Sequence, residues 1–193
     1  MSTHPIMKRS VLRISALLVL ALAGIAPRTL AQKSYALGVS GGAAIPTGKF
    51  SEAQSTGYAV TAFLALGVPD LPLGVRFDGI YNNFLGRTVT ALAGGNTTNP
   101  HVRVMGVLGN LIYSFPGSSA KPYVVTGAGI YNVKADVPGV RSKSDFGYSA
   151  GFGATFGLRA LAGFIEARYH GVSRDTEDGG NIQFVPITLG IVF

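Results

Sequence analysis

Residues 146–158 alternate with a period of two. Phe146, Tyr148, Ala150, Phe152, Ala154, Phe156 and Leu158 hold one parity, and Gly147, Ser149, Gly151, Gly153, Thr155 and Gly157 hold the other. Successive side chains of an extended chain point to opposite faces, so the segment reads as a strand with a large apolar face and a small-residue face. Three more segments repeat the pattern. Val75, Phe77 and Tyr81 oppose Arg76, Asp78 and Asn82, and Ile165, Ala167 and Tyr169 oppose Glu166, Arg168 and His170. In the last, Val185, Ile187, Leu189, Ile191 and Phe193 share one parity.

Eight segments carry strand signatures: Ser34–Ile45, Gly57–Val68, Leu73–Leu85, His101–Phe115, Pro122–Val133, Phe146–Leu158, Gly163–Val172 and Asn181–Phe193. They are separated by 11, 4, 15, 6, 12, 4 and 8 residues in turn. Long and short connections therefore fall at opposite ends of an up-and-down meander, and an even strand count brings both ends of the meander to one side. Short periplasmic turns and longer external loops are the layout of an outer-membrane barrel. The expected fold is all-β: an eight-stranded antiparallel up-and-down transmembrane β-barrel over residues 32–193. No apolar run after Gln32 reaches the ~18 residues of a membrane-spanning helix.

Composition decides which face meets lipid. Charged residues are 13% of the chain, about half the usual share, and a soluble eight-stranded barrel has too little interior for this many aromatic side chains. The aromatic parity is therefore expected outside, with Gly, Ser and Thr toward a narrow lumen. On this reading Tyr123 and Tyr131, eight residues apart, belong to the two aromatic girdles. The phases of 101–115 and 122–133 stay open, because an inward Arg103 places Asn110 outside unless a bulge intervenes.

The first 31 residues read as a cleaved export signal. Lys8, Arg9 and Arg13 precede the 13-residue uncharged run Ile14–Ala26, and Thr29-Leu30-Ala31 puts small residues before a cut between Ala31 and Gln32. Met7 offers a second start. The leader holds four of the 16 basic residues, which lowers the formal charge from +7 to +3 in the mature chain. No later stretch supplies the clustered basic face of a nucleic-acid-binding protein.

Five charges fall inside the expected strands: Arg76, Asp78, Arg103, Glu166 and Arg168. A lipid-facing Arg or Lys costs ~2–4 kcal/mol at the midplane, so all five are expected in the lumen as a salt-bridge network joining the third, fourth and seventh segments. It acts either as a plug or as a gate, with the plug favoured because small barrels are filled. Gly42 to Gly48-Lys49-Phe50 lacks the spacing and the Ser/Thr of a phosphate-binding loop. No metal or cofactor is expected. Asp175, Glu177 and Asp178 lie in a loop whose spacing is not a calcium motif.

The pattern ending in Phe193, with Val185, Ile187, Leu189 and Ile191 at alternate positions before it, resembles the C-terminal assembly signal of bacterial outer-membrane proteins. The block Tyr35–Phe50 and Phe164-Ile-Glu-Ala-Arg-Tyr169 are also similar to the small OmpA/OmpX-type barrel family. The resemblance covers Ser34–Phe193. It implies contact with outer-membrane lipid and lipopolysaccharide, assistance from the barrel-assembly machinery, and a structural, adhesive or minor porin-like role through an unspecified loop partner. No peptidoglycan-binding domain is expected after the barrel.

Two other readings stand beside it. Some eight-stranded outer-membrane barrels modify lipid A with a His/Ser pair, and here His170 and Ser173 are three apart, on opposite faces of an extended chain. Catalysis is therefore not expected. A soluble periplasmic ligand-binding barrel is the remaining alternative.

Overall fold

The computed structural model describes residues 35–68, 71–90, 96–98, 100–136, 142–158, 161–174 and 180–193. The leader with its Ala31/Gln32 junction, and the acidic stretch 175–179, lie outside the described residues. Eight long strands form: β1 (Tyr35–Thr47), β2 (Gln54–Gly67), β3 (Leu73–Gly86), β6 (Val102–Ser114), β7 (Ala120–Ala135), β8 (Lys143–Leu158), β9 (Leu161–Val172) and β10 (Ile182–Val192). They coincide with the eight expected segments, with ends moved by no more than about three residues, the usual uncertainty of a strand boundary. The sequence did not signal the one-turn helix α1 (Phe50–Ala53) between β1 and β2. Nor did it signal the ribbon of β4 (Thr88–Thr90) and β5 (Asn96–Thr98) between β3 and β6.

Every long strand pairs antiparallel with its neighbours, and β1 pairs with β10 to close the barrel. Closure leaves none of the eight long strands with an unpaired edge. The stagger can be walked from Thr47 through Gln183, Gly171, Tyr148, Ala128, Gly109, Phe77 and Leu64. The last step from Leu64 lands on Leu37, ten residues before the start on β1. Eight strands with that shear tilt by about 40° and enclose a backbone radius of about 8 Å. Such a barrel has room for side chains and little else.

Burial alternates along the strands and resolves every phase. Arg76, Asp78, Ile80, Asn82 and Phe84 of β3 point inward, as do Phe164, Glu166, Arg168, His170 and Val172 of β9. The outer wall is apolar, with Val107 71%, Phe152 67% and Leu189 62% exposed. Val185, Ile187, Leu189, Ile191 and Phe193 all lie on the outward parity of the last strand. Among the described residues no helix is long and apolar enough to cross a membrane.

Two expectations are corrected. Tyr123 and Tyr131 are not girdle residues: they are 6% and 0% exposed and point into the lumen. The girdles are made by other tyrosines, Tyr58, Tyr81, Tyr148 and Tyr169 toward the long connections and Tyr35 and Tyr113 toward the short ones. Tyr81 and Leu73, the partner of Tyr113, are eight residues apart. That is about 26 Å along a tilted strand, or about 20 Å along its axis, close to the ~25 Å apolar band of such barrels. Arg103 is the second correction. In β6 the inward residues are Val102, Val104, Leu108 and Asn110, so Arg103 faces outward.

Candidate functional site

The lumen is filled in two layers. The layer nearer the short turns is a ring of four charges from two strands on opposite sides of the barrel. Arg76 of β3 donates to Glu166 of β9 through Nη1–Oε2 at 2.8 Å and Nη2–Oε1 at 3.0 Å. Arg168 of β9 donates back to Asp78 of β3 at 2.7 Å and to Glu166 at 2.6 Å. Arg76 also donates to Asp78 at 3.1 Å. Its Nε lies 2.8 Å from Asp78 Oδ1 as an ion pair without hydrogen-bond alignment. Two guanidiniums and two carboxylates sum to zero, which suits a site where these side chains are at most 9% exposed.

Neutral groups complete the ring. Tyr123 donates to Glu166 at 2.8 Å, and Asn110 donates to the Arg76 carbonyl at 3.1 Å while accepting from Arg168 at 3.3 Å. The Arg76 guanidinium lies 4.7 Å from the centre of the Phe63 ring, a cation–π contact. Glycine makes these placements possible. Gly153 sits directly across from Tyr123, and a Cβ there would lie 2.5 Å from the Tyr123 ring; at Gly147 it would lie 2.6 Å from Tyr131. Each tyrosine lies flat over a residue with no side chain.

The layer nearer the long connections is mainly apolar, with the buried Asn82 and His170 among its side chains. Ala44, Ile80, Phe84, Val104, Leu108 and Phe184 are buried there. Phe84 meets Phe184 at 5.2 Å and Phe50 at 5.0 Å, both edge to face. Gly48, at φ 58°, takes the left-handed turn that starts α1 and brings Phe50 over this layer. His170 stacks on Phe184 at 4.9 Å and shares a 2.8 Å hydrogen bond with Tyr131. On the other side of the charged ring, a cavity of about 150 Å³ lies at the short-turn end, bordered by Ala36, Phe63, Arg76, Tyr123 and Phe164.

Four of the five expected network residues thus meet: Arg76, Asp78, Glu166 and Arg168. Arg103 does not join them. It lies on the outer face beside Asp136 at 3.4 Å, with its side chain 36% exposed. The fourth segment instead reaches the ring through Asn110. Tyr123, Tyr131 and Phe63 are lumenal residues that the sequence reading missed. The signal available was parity, because Tyr123 and Tyr131 share theirs with Gly127 and Gly129, just as the lumenal face of β8 is its glycine face. His170 and Ser173 are not brought together: His170 is 2% exposed inside the barrel, and Ser173 is exposed beyond the end of β9.

A model of the outer membrane protein beta-barrel domain matches residues 15–193. Among solved structures, neisserial surface protein A (NspA) superposes with a TM-score of 0.62 at 12% identity, over 83% of this chain and 96% of that one. OprG from Pseudomonas aeruginosa gives 0.53 at 13% identity, over 84% and 97%. Ail of Yersinia pestis in a phospholipid bilayer nanodisc gives 0.50 at 14% identity, over 83% and 100%. At these identities the likeness is one of fold. No curated protein matches the sequence significantly.

Proposed function

Because the chain belongs to the outer membrane protein beta-barrel domain family, we propose that it works as a closed barrel that anchors and displays its external connections at the bacterial outer membrane, rather than as a solute pore. The filled lumen carries this reading. A solute entering from the short-turn end meets the four-charge ring, and beyond it the packed layer of Phe84, Phe184 and Phe50. Moving ions through would push charge into a closely packed, mainly apolar layer that offers it few polar groups. The long connections, held at one end of a rigid wall, are then the surface left for an interaction.

The reading includes export through a leader cut between Ala31 and Gln32, and insertion by the assembly machinery acting on the strand that ends at Phe193. It disfavours lipid A modification by His170 and Ser173, because the imidazole is committed to Tyr131 inside the barrel. Planar-bilayer recording on the refolded full protein tests the central claim. No discrete conductance steps are expected from the wild type. Phe84→Ala combined with Phe184→Ala, which thins the apolar layer, is expected to conduct only when Arg168→Ala also opens the charged ring. Steady single-channel steps from the wild type would overturn the closed-barrel reading.

A further inference from the structure

The outer wall is not uniformly smooth. A groove of about 450 Å³ crosses β2, β3, β6 and β7, bordered by Val60, Ala62, Tyr81, Met105, Val107 and Ile130. Its floor is made by two small outward residues, Ala62 and Gly79, which face each other across β2 and β3. A Cβ at Gly79 would meet only the Ala62 carbonyl oxygen, at 3.9 Å. The groove is therefore a shallow, open depression over small residues of the wall.

Register shows what lies at its upper end. Val60, Tyr81, Met105 and Asn132 are partners in one row across the four strands. The next outward row toward the long connections is Tyr58, Asn83, Arg103 and Lys134. An apolar trough thus runs up to two adjacent cations on β6 and β7, on the long-connection side of the Tyr81 row. Their charge is barely compensated. Among the described residues the one carboxylate beside Arg103 is Asp136, at a long 3.4 Å and itself 66% exposed, the other neighbour of its guanidinium being the neutral Tyr81 hydroxyl, and Lys134 has no carboxylate partner.

We propose that this groove is a binding site for one acyl chain of a phosphorylated glycolipid of the outer leaflet, whose phosphate is held by Arg103 and Lys134. The leaflet follows from the placement of the long connections outside, on which this inference rests together with the reading above. The ligand class follows from the two halves of the site. An apolar trough takes a chain, and two adjacent outward cations at the interface take a phosphate rather than a zwitterionic headgroup. This also explains why an arginine is tolerated on the outward face: it lies above the hydrocarbon, where it costs little and gains a ligand.

Native mass spectrometry of the full protein in detergent, titrated with diphosphoryl lipid A, phosphatidylglycerol or phosphatidylethanolamine, tests the site. Wild type is expected to retain lipid A with one-to-one stoichiometry. Arg103→Ala with Lys134→Ala is expected to weaken it about thirty-fold. Gly79→Leu with Ala62→Leu, which fills the trough and leaves both cations, is expected to weaken it comparably. Heat-modifiable gel migration checks that each variant remains a folded barrel. Unchanged lipid A retention in either double variant would overturn the proposal, as would equal retention of phosphatidylglycerol. Conductance is read separately, so a leaky barrel that still binds lipid A would sink only the closed-lumen reading.

Discussion

Removing one carboxylate from the lumenal ring is expected to destabilise the barrel far more than removing any exposed charge. Glu166 accepts two bonds from Arg76, one from Arg168 and one from Tyr123, at 2.6–3.0 Å. Glu166→Gln leaves two buried guanidiniums facing Asp78 alone, so a site that was neutral holds an uncompensated positive charge. Breaking a buried pair in this way costs about 3–5 kcal/mol. The amide still accepts at one oxygen, so the glutamine is expected near the lower end of that range and Glu166→Ala near the upper. Restoring neutrality with Glu166→Gln and Arg168→Gln together is expected to cost less than the sum of the single changes by about 1 kcal/mol or more. Urea unfolding in lipid vesicles, followed by far-ultraviolet circular dichroism because the chain has no Trp, measures all of these. Arg103→Ala is the internal control, since its partly exposed pair with Asp136 is worth no more than about 1 kcal/mol. A loss below about 1 kcal/mol for Glu166→Gln would refute the claim that the ring is a set of mutually dependent charges.

Two further outcomes follow from the packing. Gly153→Val is expected to destabilise by about 3 kcal/mol or more, because its branched side chain must displace the Tyr123 ring and with it the bond to Glu166; a melting temperature equal to that of the wild type would show that the ring moves freely. Deleting Phe193, whose backbone N–H donates to the Leu37 carbonyl at 2.8 Å across the closing seam, is expected to lower the amount of inserted, heat-modifiable barrel in cells, measured by outer-membrane fractionation. Normal insertion without it would remove the case for a C-terminal assembly signal.

The strands were legible because a two-residue period survives any reasonable error in their ends. In β3, β8, β9 and β10 the two parities differ so strongly in size or charge that only one orientation is physically cheap. β6 and β7 carry apolar residues on both parities, and there only weaker rules were left to decide the phase. The rule that a charge must face the lumen misplaced Arg103, since it holds only within the hydrocarbon band and Arg103 lies at its edge. The rule that tyrosines sit in girdles misplaced Tyr123 and Tyr131. It takes no account of buried acceptors, and Glu166 and His170, which satisfy the two hydroxyls, are 43 and 39 residues away in sequence. The apolar cap was illegible for a related reason. Phe50, Phe84 and Phe184 come from three distant parts of the chain, and only the closed register stacks them.

The arrangement of charges along β3 and β9 bears on how the barrel comes together. Arg76 with Asp78, and Glu166 with Arg168, are each two residues apart on one face of one strand, so each strand carries its own counterion while it waits for the other. The contacts between them span 90 residues of chain and can form only when the sheet has curled far enough to bring opposite walls together. Neither β3 nor β9 has to enter the membrane with an orphaned charge. The exchange of partners across the lumen comes at the end, as a cross-brace drawn tight once the wall has closed.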